Sequence, residues 1–286
     1  MKKVLVTGAT GFIGDYVVKT LISQGYALTA TSSSLEKASQ KDWFKEVTYI
    51  PLDFKMLDES ANYFEYFNSP DIIIHLAWEG LPNYKSLFHF EENLPRHYSF
   101  LKNLVINGAT DITLVGTCFE YGMQDGELIE TMPALPDNPY GLAKDTLRKQ
   151  LVELKKFYPF SLKWPRLFYM YGVGQNPKSL FSQLDVAINR GDAVFNMSGG
   201  EQTRDFLPVD EIASNIVTIA LQKQTEGVIN CGSGIPKTVK VLVEEYLANH
   251  NANIKLNLGF YPYPDYEPMH FWGNIKKLNK IKGTIS

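Results

Sequence analysis

The feature that most constrains this chain is its opening, Val4-Leu5-Val6-Thr7-Gly8-Ala9-Thr10-Gly11-Phe12-Ile13-Gly14. An apolar run of strand length meets three glycines spaced three apart, and an apolar helical pattern continues from Phe12 to Leu21. This order predicts strand, tight turn and helix, the first half of a βαβ unit that binds a dinucleotide. Gly8 permits the turn, Gly11 lets the backbone approach a pyrophosphate, and Gly14 lets the helix pack closely on the sheet. The helix N-terminus then offers its free N–H groups to the anion.

The rest of the chain fits that beginning. Apolar runs at Val4–Val6, Ala27–Thr31, Val47–Leu52, Ile72–Leu76, Ile112–Val115 and Leu162–Phe168 predict strands. Helical patterns lie around Ile13–Gln24, Ser60–Phe67, Phe90–Asn107 and Leu142–Phe157, with Gly25 and Gly108 at expected helix ends. Such alternation predicts an α/β fold, a Rossmann-type doubly wound parallel sheet covered by helices on both faces. After Gly172 the segments shorten (178–189, 210–221, 240–249) and Pro and Gly become frequent. The expected organisation is a dinucleotide-binding domain carrying the catalytic residues over 1–172. Residues 173–286 are read mainly as a smaller substrate-binding lobe, with some segments returning to the main sheet.

Composition narrows the class. A net charge of −3 supplies no basic surface for nucleic acid and no polybasic membrane anchor. The two cysteines, Cys118 and Cys231, argue against a disulfide framework and fit a reducing compartment. Thr7 and Gly8 interrupt the first apolar stretch well short of a signal sequence, and no apolar run reaches membrane-spanning length. The five histidines show no metal-ligand spacing, so no metal site is expected. A cytoplasmic soluble protein is the expectation.

At the cofactor end, an NAD-preferring fold places an acid after the second strand to hold the adenosine ribose. Here that stretch reads Thr29-Ala30-Thr31-Ser32-Ser33-Ser34. Hydroxyls on Ser32 and Ser33, without a carboxylate to repel a 2′-phosphate, favour NADP(H) and leave NAD(H) open. The alternative is a serine run that begins a helix as its N-cap. Asp53 is placed to accept from an adenine amino group, although an ordinary loop aspartate fits equally well. The small Ala77 after Leu76 leaves room for ribose and nicotinamide, and His75, mid-strand, reads as a packed core residue.

The catalytic constellation follows the fifth strand. Val115-Gly116-Thr117-Cys118-Phe119-Glu120-Tyr121-Gly122 leads on to Pro139-Tyr140-Gly141-Leu142-Ala143-Lys144. Tyr140 and Lys144 lie one helical turn apart and share a face. A neighbouring ammonium, together with the positive nicotinamide of oxidised cofactor, is expected to lower the phenol from its free value near ~10, letting Tyr140 exchange a proton with a substrate oxygen. Thr117, at a strand tip, is placed to hydrogen-bond that oxygen. With 16 tyrosines in the chain, chance matches to Tyr-x-x-x-Lys arise; Tyr98–Lys102, inside a helical pattern with no strand-tip hydroxyl before it, is read as one.

These blocks, with Pro165-Arg166-Leu167-Phe168-Tyr169-Met170-Tyr171-Gly172 and Gln202-Thr203-Arg204-Asp205-Phe206-Leu207-Pro208-Val209-Asp210, resemble the extended short-chain dehydrogenase/reductase family. That family comprises nucleotide-sugar epimerases, dehydratases and ketoreductases, and the resemblance spans about residues 1–221. It implies Thr117, Tyr140 and Lys144 as catalytic residues. It implies cofactor contacts from Gly8, Thr10, Gly11, Phe12, Ile13, Gly14, Ser32, Ser33, Asp53, Phe54, Leu76, Ala77, Asn93, Tyr140, Lys144 and Phe168. For the substrate it implies Trp78, Thr117, Tyr169 and Arg204, with Arg204 on the nucleotide diphosphate and aromatics (Trp78, Tyr84, Tyr169, Trp272) available to stack on a base or sugar. It also implies a homodimer through the helices around Phe90–Asn107 and Leu142–Phe157.

Within the family, sugar 4,6-dehydratases resemble one another in carrying Asp-Glu directly after the threonine; this chain has Cys118-Phe119. Cys118 reads as a small packed residue. Net ketoreduction or C4 epimerisation remains. The missing strand-end acid and the Pro268-Met269-His270-Phe271-Trp272-Gly273-Asn274 ending point to an NADPH-dependent reductase of a nucleotide-linked 4-keto-6-deoxyhexose, the nucleotide being dTDP, CDP or GDP. A 4-epimerase with tightly bound NAD and a non-catalytic NADP sensor are the alternatives. Tyr169 stands where many relatives have a substrate-touching asparagine.

Overall fold

A computed structural model describes residues 2–283. Its centre is an 8-stranded sheet. The main strands are β1 (Lys3–Thr7), β2 (Ala27–Thr31), β3 (Thr48–Tyr49), β4 (Ile72–His75), β5 (Asp111–Leu114), β6 (Ser161–Leu167) and β7 (Gly227–Cys231). In space they run β3-β2-β1-β4-β5-β6-β7, and the short strand Gly116–Thr117 extends the sheet beside β6. Every pairing in this sheet is parallel. The strand order reverses between β1 and β4, which opens a crevice at their carboxyl ends, where open α/β sheets bind ligands.

Burial explains why these segments are strands. Val4, Leu5 and Val6 and Ile72, Ile73 and Ile74 are fully buried, as strands covered on both faces must be. On one face α1 (Phe12–Ser23) packs Val17, Val18 and Leu21 into a core shared with Ile212, Ile216 and Val217 of Val209–Leu221. The other face is covered by α2 (Leu94–Ile106) and α3 (Pro139–Leu154), which contribute Phe100, Leu101, Leu104, Leu147 and Leu151. A separate core, with Phe181, Leu184, Phe195, Val239, Val243 and Leu247, holds together Leu180–Arg190, Val239–Asn249 and the parallel pair Val194–Asn196 and Lys255–Asn257.

Several expected boundaries move for identifiable reasons. The strand expected over Val47–Leu52 contracts to Thr48–Tyr49 at the sheet edge, opposite Thr29 and Ala30, although the Ile50 and Leu52 N–H groups still donate to the Ala30 and Ser32 carbonyls. The helix expected over Phe90–Asn107 divides into a π-helical turn, His89–Asn93, and α2. Pro95, in the first turn of α2, has no N–H to continue the preceding ladder. Strand β7 and helix Val209–Leu221, both after Gly172, lie in the layers of the main sheet. No helix among the described residues is long and apolar enough to cross a membrane.

Candidate active site

The glycine turn sits at the β1 end of the crevice. Gly8 has a φ of +69°, and a Cβ there would lie 2.7 Å from the Ala77 backbone nitrogen. The turn after β1 is thus pressed against the turn after β4, with the Ala77 N–H reaching Thr7 Oγ1 at 3.4 Å. A Cβ on Gly14 would fall 2.1 Å from the Gly8 carbonyl oxygen, so only glycine lets α1 begin this close to the turn. Gly11 caps α1 with no side-chain acceptor, which leaves the first-turn N–H groups without a side-chain partner. Thr10, Phe12 and Ile13 are half-buried beside it. This cradle fits a dinucleotide pyrophosphate.

The strand-end serines divide their tasks. Ser32 is buried and shares a 2.8 Å hydrogen bond with the Tyr49 hydroxyl, Ser33 is exposed, and Ser34 caps the helix Leu35–Ser39. The N-cap alternative therefore describes Ser34, and Ser32 is less free to meet a 2′-phosphate than the sequence suggests. The Asp53 carboxylate accepts from the Lys55 N–H at 2.9 Å and caps a short turn. Phe54 packs edge-on against Phe100 and His75, and Asn93 donates to the Glu79 carbonyl at 2.9 Å. Phe168 is buried beside Phe271 in a satellite core, where a Cβ on Gly273 would come within 2.6 Å of its ring. The polar groups among them are largely engaged within the protein.

Thr117, Tyr140 and Lys144 converge at the end of β5. Asn138 caps α3 by accepting from the Gly141 N–H at 2.9 Å, with Pro139 in the first helical turn. A Cβ at Gly141 would sit 2.6 Å from the Phe119 carbonyl oxygen; glycine there brings the start of α3 onto the turn after Thr117. The Thr117 hydroxyl lies within hydrogen-bonding reach of the Tyr140 phenol. Lys144, one turn on, donates to the Val115 carbonyl at 2.9 Å and holds its ammonium 4.1 Å over the Trp78 ring. Tyr98 and Lys102 instead line an outer groove with Lys149 and Phe157, away from Thr117.

Electrostatics correct one expectation. The Tyr140 phenol is raised above its ordinary value, chiefly by burial, with the Thr117 hydrogen bond opposing. Burial also pulls Lys144 down to about 7. The ammonium is directed at Val115 and Trp78, and burial outweighs the lowering that the Tyr-x-x-x-Lys spacing predicts from Lys144. A protonated Tyr140 suits proton donation to a developing alkoxide.

Sequence reasoning missed Glu120, which is fully buried. Its carboxylate accepts from the Thr117 N–H at 2.9 Å, from Trp164 Nε1 at 2.9 Å and from Arg166 Nε at 2.7 Å. The first of these contacts belongs to a capping box, Thr117-x-x-Glu120, a pattern that is readable in sequence. The network fixes the turn that presents Thr117.

On the substrate side, Arg204 is 3% exposed and pairs with the Glu267 carboxylate at 2.8 Å. It also donates to the Thr203 and Met269 carbonyls and lies 4.6 Å from the Phe271 ring centre. Tyr169 hydrogen-bonds Glu267 and packs on Phe206. Burial pulls both charges of the pair toward neutrality, Glu267 upward and Arg204 downward. No sequence signal marked Glu267. Trp78 is half-buried, its ring stacked on His97 at 4.8 Å beneath a layer that includes Lys144. Tyr84 lies 5.6 Å from Tyr140 and 5.8 Å from Tyr266, closing one wall.

A parallel sheet with a glycine-lined crevice beside a threonine, tyrosine and lysine is the architecture of a dinucleotide-dependent enzyme of the extended short-chain type. The NAD dependent epimerase/dehydratase family model matches residues 4–232, and the chain belongs to that family. It is 30% identical over 271 residues to the dTDP-6-deoxy-L-talose 4-dehydrogenase (NAD(+)) of Aggregatibacter actinomycetemcomitans, covering 94% of this chain and 98% of that protein. The UDP-N-acetylglucosamine 4-epimerase of Methanobrevibacter ruminantium M1, solved with UDP-N-acetylmuramic acid, superposes with a TM-score of 0.85 at 24% identity, over 98% of this chain and 91% of that one. The UDP-glucuronic acid 4-epimerase of Bacillus cereus, solved with UDP-glucuronic acid and NAD, gives 0.82 at 22% identity, over 98% and 92%.

Proposed function

We propose that this protein is a nucleotide-sugar oxidoreductase working at C4 of a dTDP-linked 6-deoxyhexose, in the direction of 4-keto reduction. The observation that carries the reading is the convergence of Thr117, Tyr140 and Lys144 with Cys118-Phe119 behind the threonine. Elimination of water needs an acid–base pair there, whereas C4 redox chemistry needs only the three residues present. The similarity to a dTDP-6-deoxyhexose 4-dehydrogenase supports C4 as the reacting centre and a 6-deoxy sugar as the substrate class.

The glycine cradle would hold the pyrophosphate of a nicotinamide dinucleotide, whose chemistry when bound would be hydride transfer. Tyr140 donates its proton to the C4 oxygen as negative charge develops there, and Thr117 steadies the same oxygen as a second donor. Lys144 binds the nicotinamide ribose and, as an ammonium, eases proton loss from Tyr140. We favour NAD(H) over NADP(H) for this role, because the Ser32 hydroxyl is committed to Tyr49. The nucleotide diphosphate reaches Arg204 by displacing Glu267. A homodimer through α2 and α3 is part of this reading, supported by Phe157, which is 78% exposed in the turn just beyond α3.

The test is a turnover panel of dTDP-, CDP- and GDP-linked 4-keto-6-deoxyhexoses with NADH and with NADPH. Loss of reduced-cofactor absorbance with formation of a C4 alcohol, faster with NADH and dTDP, is the expected result. Release of a 4-keto-6-deoxy product from a nucleotide-linked glucose or mannose would contradict it.

A further inference from the structure

Lys144 is held in an unusual way for a buried cation. Its side chain is 3% exposed, and among the described residues it makes no ion pair. Its ammonium has two supports, the Val115 carbonyl at 2.9 Å and the Trp78 ring face at 4.1 Å. A desolvated ammonium over an indole face is stabilised by the ring quadrupole, and more strongly than at an exposed site. We infer that Trp78 is a positioning residue for the reaction proposed above: its ring holds Lys144 charged and aimed beside Tyr140, and His89 locks the ring. This rests on that reading only for the consequence in turnover; the support given to Lys144 stands apart from it.

The lock is visible in the hydrogen bonds. Trp78 Nε1 donates to His89 Nδ1 at 3.1 Å, and His89 Nε2 faces the Asn83 carbonyl at 2.9 Å. An acceptor at Nδ1 and a carbonyl opposite Nε2 set one neutral tautomer, with the proton on Nε2. His97 stacks on the ring at 4.8 Å and 22°, and Tyr140 meets it edge-on at 6.2 Å. Rotation of the indole would break the bond to His89 and slide the ring from beneath Lys144.

The groups facing Lys144 leave the ring a decisive part. The imidazoles of His75, His89 and His97 are all pushed toward their neutral forms by burial. Tyr140 stays protonated. Glu120 favours the ammonium from the turn after Thr117, but its carboxylate is already bonded to Arg166 and Trp164. Burial opposes the charge and leaves Lys144 titrating near 7. A modest loss of support there changes its protonation in the neutral range.

Two measurements test this. Titration of the Lys144 ε-methylene by NMR in the cofactor-free protein, with the signal assigned by its absence in Lys144→Met, needs no substrate. Trp78→Leu should lower the proton affinity of Lys144 about tenfold, one pKa unit, whereas Trp78→Phe, which keeps a ring, should shift it much less. In turnover, reduction should fall as pH rises through the Lys144 titration. Trp78→Leu should move that limb to lower pH and reduce kcat with little change in KM for the sugar. Should Trp78→Leu fold poorly, fluorinated tryptophans that weaken the ring quadrupole at constant shape replace it. The titration should then shift in the wild-type protein and not in Trp78→Phe grown the same way. An unmoved Lys144 titration in both tests overturns the inference. So does a Trp78→Leu protein whose only defect is a raised KM for the sugar, since that would make Trp78 a stacking platform. Absence of turnover with every sugar, beside a shifted Lys144 titration, would overturn the proposed reaction and leave the support of Lys144 by Trp78 standing.

Discussion

At the scale of single residues, Tyr140 shows how burial competes with neighbouring charge. The Tyr-x-x-x-Lys spacing placed both residues on one face of a helix, and the Thr117 hydroxyl joins them in space. Spacing could not reveal that burial would raise the phenol and depress the ammonium together. A proton donor for reduction results, and its removal should be felt in chemistry rather than in binding. Tyr140→Phe, which keeps the ring, should lower turnover by ~10²-fold or more while the dissociation constant for reduced cofactor stays within about twofold. Stopped-flow single turnovers and cofactor fluorescence titration read the two quantities separately. Equal losses in both would assign Tyr140 to cofactor binding instead. Arg204 teaches the complementary lesson: a block that resembles a family motif supplied the residue, and a carboxylate 63 positions away in the chain, Glu267, is the partner it pairs with.

At the scale of elements, hydrophobic periodicity carried most of the fold. Ala27–Thr31 is a strand over the residues its apolar pattern suggested, and α1 begins within one residue of the predicted start. The sequence said less where stability comes from distant partners. Strand β7 looks like one more short segment in a Pro- and Gly-rich region until Asn230 and Cys231 are seen beside Arg166 and Leu167 of β6. Glu120 looked like part of a block with no assigned task, although its capping-box spacing to Thr117 was there to be read. Close approaches between elements give a sharp stability test. Gly14→Ala puts a methyl group into the Gly8 carbonyl, and Gly141→Ala puts one into the Phe119 carbonyl, both backbone atoms that cannot rotate away. Each should destabilise the protein by about 1–3 kcal/mol or more, measured by urea unfolding. Gly25→Ala, at a position with open space but a φ of +75°, should cost only about 1 kcal/mol. Similar losses at all three positions would show that the turns, and not the packing of α1 and α3, set the cost.

At the scale of the whole molecule, the order of the strands explains why residues far apart in sequence meet. The reversal between β1 and β4 brings Gly8 against Ala77, and the extension of β5 through Gly116–Thr117 delivers the threonine to the same crevice. The segment from Asp265 to Phe271 then closes the far side. Asp265 pairs with Lys85 at 2.7 Å, Tyr266 packs on Tyr84, and Glu267 holds Arg204. That closing segment was the part least legible in the sequence, because its contacts are with loops and buried charges rather than with a periodic element.

The most direct test of the account follows deuterium. Reduced cofactor carrying deuterium at C4 of its nicotinamide is supplied with a dTDP-linked 4-keto-6-deoxyhexose, and the product is read by NMR and mass spectrometry. The account predicts one deuterium at C4 of the sugar, oxidised cofactor released in equal amount, and near-complete loss of transfer in Tyr140→Phe but not in Tyr98→Phe. A sugar inverted at C4 without deuterium and without net cofactor oxidation, or full transfer in Tyr140→Phe, would contradict it.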